Sequence, residues 1–137
     1  VEMSAKEVES MRGKNLEMII YGHLPIMISE QCLVGRYGHC VTTCGETNET
    51  YKLVDSKGSQ YPIITDCNLC RMQVLNDKPI VLATKMNQIQ ALPIDRMRFM
   101  FTIEDSKRIK EVINWYTDNT TDYKIEHTSG YFTNGVE

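Results

Sequence analysis

Five cysteines fall between Cys32 and Cys70, and the first part of that stretch, from Glu30 to Thr50, is rich in Gly, Thr, Asn and Cys. Such a segment reads as a loop that buries little apolar surface, so it has little core in which to hide thiols. Five is an odd number, and a fully disulfide-bonded framework would leave one thiol over. No apolar run approaches the roughly 20 residues needed to cross a bilayer, and no charged-then-apolar N-terminus suggests a signal peptide. The expectation is a cytosolic, reducing compartment. Disulfides are disfavoured there, which leaves metal binding, catalysis or simple burial.

The spacing favours the first of these. Cys40 and Cys44 are separated by three residues, and Cys67 and Cys70 form a CxxC pair. A CxxC turn brings two sulfurs within reach of one ion, and two such elements can complete four-fold sulfur coordination. Thiolates suit zinc and iron–sulfur clusters equally, so both cofactors stay open. The expected ligands are Cys32, Cys44, Cys67 and Cys70, with Cys40 as the spare. Burial as small apolar residues is the plainer alternative for any one cysteine, and disulfides come last. His23 and His39 are further candidates, although a His near a strand end more often faces solvent or is hydrogen-bonded. Glu17, Glu30 and Asp66 lie near the cysteines in sequence and read as solvated charges. No Ser-His-Asp arrangement, HExxH run or P-loop is present.

A chain of 137 residues has room for one domain with a single core. Its formal net charge of -3 supplies no general attraction to nucleic acid. Ser4 followed by Glu7 predicts a capping box and a helix from Ser4 to Arg12, stopped at Gly13. Leu16 to Tyr21 reads as a buried strand broken by Gly22, and Pro25 to Ser29 as an extended continuation. Tyr51 to Asp55 and Gln60 to Thr65 flank Ser56-Lys57-Gly58-Ser59, a hairpin signal, and Cys70 to Leu75 fits a third short strand. Pro79 to Leu92 has helix-compatible spacing, Arg96 to Thr102 reads as a strand, and Glu104 to Thr117 as an amphipathic helix. With the cysteine-rich segment set aside, the order is helix, strand, helix, strand, helix, the mark of parallel βα units. The chain starts at Val1 in residues that already read as helix, so a fragment of a longer protein is expected.

The run Leu16 to Cys32, LEMIIYGHLPIMISEQC, resembles the signature of the peptidase U32 family, the collagenase-like peptidases. In that family a strand ending in Tyr-Gly precedes a Leu-Pro-hydrophobic-Met segment and then a cysteine, places taken here by Tyr21, Gly22, Leu24, Pro25, Met27 and Cys32. The resemblance continues in Leu53-Val54-Asp55-Ser56-Lys57-Gly58, in Tyr61-Pro62-Ile63, and in Cys70-Arg71 with Leu75-Asn76. It extends to the tail, in Thr128-Ser129-Gly130-Tyr131-Phe132 and Gly135-Val136. Pro25 stands where many members carry a further cysteine, so ligands of that other branch do not all carry over. Ser56 replaces the usual arginine of the hairpin.

The resemblance implies an α/β fold: the last two βα units of a TIM-barrel-like domain, with a cysteine-rich β-hairpin insertion at about residues 30–76 of a single domain 1–137. Catalytic groups of such barrels lie at the C-terminal ends of strands, which is where Gly22 to Cys32 falls. It also implies activity. The family name records protease activity, a hydrolase acting on peptides, while several members act in hydroxylation or RNA modification with a cysteine-bound 4Fe-4S cluster. The cysteine set of this chain suits the cluster better than a peptidase, which needs an activated nucleophile. Zinc in a non-catalytic, metal-stapled module is the third expectation. Expected partners are an RNA or peptide substrate, the upstream barrel half of the same protein, or a second copy pairing along unfilled strand edges, with no membrane.

Overall fold

The structure, a computed structural model, describes residues 3–11, 15–37, 51–118, 123–130 and 132. In chain order it contains α1 (Ala5–Glu9), β1 (Glu17–Gly22), β2 (Pro25–Ser29), α2 (Leu33–Tyr37), β3 (Tyr51–Val54), β4 (Gln60–Asp66) and β5 (Arg71–Leu75). Then come β6 (Ile80–Val81), a 3-10 turn (Ala83–Lys85), α3 (Met86–Gln90), β7 (Arg96–Met100) and α4 (Ser106–Thr117). These elements form two compact units, one of Val1–Gly22 with Lys78–Glu137 and one of His23–Asp77.

In the first unit β1 is the central strand of the order β6-β1-β7. It runs parallel to β7, with Glu17 opposite Arg96 and Gly22 opposite Met100, and antiparallel to β6, with Tyr21 opposite Val81. Successive residues of a strand point to opposite faces, so a strand covered on both sides reads as a continuous apolar run. This explains Met18-Ile19-Ile20-Tyr21. Ile20 packs with Leu82, Ile89 and Phe132. Tyr21 packs with Val81, Val112 and Trp115 on the other face. Full burial of each such side chain contributes about 1.5–3 kcal/mol before entropy is counted. Short polar contacts fix the ends. The Ser4–Glu7 capping box forms, with Ser4 N–H donating to Glu7 Oε2 at 2.7 Å and Glu7 N–H to Ser4 Oγ at 3.3 Å. Asp105 caps α4 by accepting from Arg108 N–H at 2.7 Å.

The second unit is an antiparallel sheet of order β2-β5-β4-β3. Ile63, Met72 and Val74 are its buried centre, with Leu33, Tyr51, Leu53 and Tyr61 packed around them. The β3–β4 hairpin closes through Asp55, whose Oδ1 accepts from Lys57 N–H at 2.8 Å and Ser59 N–H at 2.9 Å. Gly58 sits in that turn at φ +87°, a conformation glycine adopts without a Cβ penalty. Ile26, Met27 and Ile28 of the edge strand β2 are all exposed.

This architecture corrects the expected pair of barrel βα units. Among the described residues it is mostly β, two sheets with a few short helices. The alternation failed at Pro79 to Leu92. Its apolar residues have helical spacing, yet they divide among β6, a 3-10 turn and α3. The reason is hydrogen bonding at the sheet edge. Val81 N–H donates to Thr128 O at 2.9 Å, Leu82 N–H donates to Ile20 O at 3.0 Å, and Ile80 bridges to Thr128. The segment's first turn is thereby claimed by neighbouring backbone, and a crossover helix cannot start there. Arg71–Leu75, next to the CxxC pair, is likewise a strand of a sheet, not an ornament on a barrel. No helix among the described residues is long and apolar enough to cross a membrane.

Candidate functional site at the cysteine end of the antiparallel sheet

Register decides where the cysteines go. In the β4–β5 ladder Ile63 faces Val74, Thr65 faces Met72, and Asp66 faces Arg71. Cys67-Asn68-Leu69-Cys70 is the turn that follows. Asp66 holds it, its Oδ1 accepting from Asn68 N–H at 3.0 Å and Leu69 N–H at 3.2 Å. Such an Asx contact replaces ladder bonds lost at the strand end. Cys70 closes the turn at φ +51°, in the left-handed region. A side chain there costs roughly 1–2 kcal/mol relative to glycine.

Strand β2 brings in a third cysteine. It pairs antiparallel with β5, Pro25 opposite Leu75 and Ser29 opposite Met72, so its C-terminal end lies beside the start of β5. Glu30 then reaches Arg71 in a 3.2 Å ion pair, exposed on both sides. Ser29 Oγ accepts from Gln31 N–H at 3.1 Å and turns the chain into Cys32. Cys32 starts α2. Its carbonyl accepts from Arg36 N–H at 3.1 Å, and its sulfur accepts from Gly35 N–H at 3.4 Å. Cys32, Cys67 and Cys70 therefore share one end of the sheet.

Their chemical states differ. Cys32 and Cys70 are free thiols. Cys67 is disulfide-bonded. The sequence expectation placed disulfides last, and this sulfur departs from it. Cys40, Cys44 and His39 lie outside the described residues. Among the described residues no three His, Cys, Asp or Glu side chains group closely enough to hold a metal ion.

Cys32 and Cys70 are thiols, a donor type that soft and borderline metals take. Sulfur ligands carried on a CxxC turn and on a helix start are of the kind zinc and iron–sulfur centres take. A backbone N–H, that of Gly35, holds the Cys32 sulfur in place.

Other sequence candidates fall elsewhere. His23 is buried at the opposite end of the sheet, next to the Pro25–Leu75 pair, with Nδ1 2.9 Å from Asn76 O. It is a satisfied structural histidine. Glu17 belongs to the first unit and pairs with Arg98 at 2.8 Å. Glu30 and Asp66 do border the cysteines, as ion-pair and turn-holding groups.

A second polar arrangement was not anticipated from the sequence. Where the parallel strands β1 and β7 end, the Tyr21 hydroxyl donates to Glu104 Oε1 at 3.1 Å. Glu104 Oε2 accepts from Thr102 N–H at 2.7 Å and Ile103 N–H at 3.1 Å. Burial, reinforced by the Glu104 charge, holds the Tyr21 phenol well above its ordinary range. The available signal was the Tyr-Gly that ends β1, a polar tip on an otherwise apolar strand. No family model, curated protein or solved structure matches this chain.

Proposed function

We propose that the cysteine end of the antiparallel unit is the ligand set of an iron–sulfur centre, in an enzyme of the hydroxylation or RNA-modification type. The resemblance to the peptidase U32 family suggests that activity. One observation supports the site: the β2–β5 and β4–β5 registers bring Cys32, distant in sequence, to the sheet end that carries the Cys67–Cys70 turn. Ligation requires Cys67 as a thiolate, so the reading goes with a reducing, cytosolic setting and with Cys40 or Cys44 supplying further sulfur. RNA or a small aromatic precursor is the substrate class that goes with it.

The experiment is anaerobic purification of the full chain, reduced with dithiothreitol and reconstituted with ferrous iron and sulfide. The expected product is brown, holds iron and acid-labile sulfide in equal amounts, and loses both in Cys32→Ser and Cys67→Ser. A colourless, iron-free protein overturns the reading.

Zinc is a second reading with an observation behind it. The second unit has a small buried centre of Ile63, Met72 and Val74. Small cores are commonly reinforced by a metal or a cross-link. One zinc per chain with no bound iron under the same conditions would favour that structural role.

A further inference from the structure

The registers of the β4–β5 hairpin contain a relationship that neither metal reading uses. Each rung from Ile63–Val74 to Asp66–Arg71 advances by one residue on each strand. Cys67 and Cys70 are the first and last residues of the four-residue turn that follows, across Asn68 and Leu69. The first and fourth residues of a tight turn have Cα atoms less than about 7 Å apart, near the separation a disulfide spans. One of these sulfurs is already in a disulfide and the other is a free, exposed thiol. Cys70 holds a left-handed backbone conformation that would suit glycine better. Strain kept at one position is a pointer to function when that side chain has chemistry to perform.

We propose that Cys67 and Cys70 form a thiol–disulfide exchange pair. The Cys70 thiolate attacks Cys67 Sγ, a new S–S bond forms within the CxxC turn, and the old one breaks. The electron pair of the broken bond leaves on the former partner's sulfur, which departs as a thiolate and takes up the proton that Cys70 released to solvent. The Cys70 sulfur is oxidised to the disulfide level and the former partner's sulfur is reduced to the thiol, so the step needs no external oxidant. The product is a disulfide at an exposed hairpin tip, with Asn68 and Leu69 at its surface, open to attack by small-molecule or protein thiols. The proposal is independent of any metal.

Trypsin offers a direct readout, because Lys57 and Arg71 bracket both cysteines and place them on one peptide, Gly58–Arg71. The full chain, stripped with chelator, is equilibrated in mixtures of reduced and oxidised glutathione at mildly alkaline pH. It is then quenched in acid, alkylated, digested and weighed by mass spectrometry. The expected result is that Gly58–Arg71 appears as a linear, unalkylated peptide lighter by two hydrogens over part of the series. Cys70→Gly, which fits the left-handed backbone and keeps the fold, abolishes that species. It also slows reductive release of the original Cys67 cross-link about tenfold or more, because an attacking thiol held in place is lost. A chain in which Gly58–Arg71 never carries an internal disulfide, or in which Cys70→Gly leaves the release rate unchanged, overturns the proposal. Because no metal is present, neither result bears on the iron–sulfur reading.

Discussion

The Tyr21 hydroxyl meets Glu104 Oε1 at 3.1 Å, tying the last turn of a buried strand to the loop that launches α4. The same carboxylate accepts two backbone N–H groups through its other oxygen. Tyr21→Phe keeps the ring contacts with Phe101 and Trp115 and removes only this bond. A loss of about 0.5–1.5 kcal/mol is expected, read as a lower urea midpoint at unchanged slope. No change would mean the bond contributes nothing net.

Alkaline pH acts on the same strand. The Tyr116 hydroxyl donates to Ile20 O and accepts from Leu82 N–H, and burial pushes its pKa up to about 12. Tyr21 is shifted in the same direction. A pKa raised on folding stabilises fully below the unfolded phenol value of about 10, and that stabilisation is lost as pH climbs through the folded value. Unfolding experiments across pH 9 to about 12 should therefore show stability falling, with Tyr116→Phe flattening the decline. A wild-type profile level through that window would refute the coupling.

Gly22 has no room for a side chain. A Cβ built there lies 2.4 Å from Met100 O and 2.9 Å from Met100 Cβ, and its φ of +146° is one that L residues rarely adopt. Gly22→Ala must push β1 away from β7 at the rung where Gly22 faces Met100. The expected cost is roughly 1–3 kcal/mol, seen as a drop in Tm, and near-wild-type stability would argue against so close an approach.

Cys70→Gly should do the opposite. Relief of the left-handed strain is worth about 1 kcal/mol, partly offset by the greater freedom of glycine in the unfolded chain. A small rise in Tm under reducing conditions is expected, and a clear fall would mean that the Cys70 side chain contributes packing its exposure does not suggest.

On the acid side, the hydrogen bonds from Ser59 and Lys57 backbone N–H hold the Asp55 carboxyl below its usual range. A depressed pKa stabilises above the unfolded value and is lost as pH falls through the folded one. Asp55→Ala should lower the wild-type Tm near neutrality and remove that part of the acid decline, measured by thermal unfolding from pH 3 to 7.

Much of the local structure was legible because short-range rules govern it. Ser4 and Glu7 announced their capping box, Ser56 to Ser59 announced the hairpin, and Glu104 to Thr117 announced α4. The arrangement of strands was not, since pairing is a long-range choice. Nothing in Ile80-Val81 reveals that Thr128 and Ile20 will claim their backbone, and without that knowledge Pro79 to Leu92 looks like a crossover helix. The same holds at the cysteines. Their number and the CxxC spacing were readable. That Cys32 would arrive at the sheet end holding Cys70 depends on β2 pairing with β5, a partner about 45 residues away, which no local pattern encodes. The disulfide state of Cys67 was not legible, because cysteine spacing along the chain does not tell which sulfurs meet in space.

The two ends of the antiparallel unit are knotted to each other. Leu24 N–H donates to Asn76 Oδ1, Asn76 N–H donates back to Leu24 O, and His23 adds a third contact to Asn76 O. In the first unit, Gly22 faces Ile80 as the two arms of a hairpin would. Residues 23–77 therefore close on themselves, their first and last residues held together by their own hydrogen bonds. Such a piece can be lost, replaced by a tight turn or carried to another hairpin at small cost in chain entropy, since only its closed base must be matched.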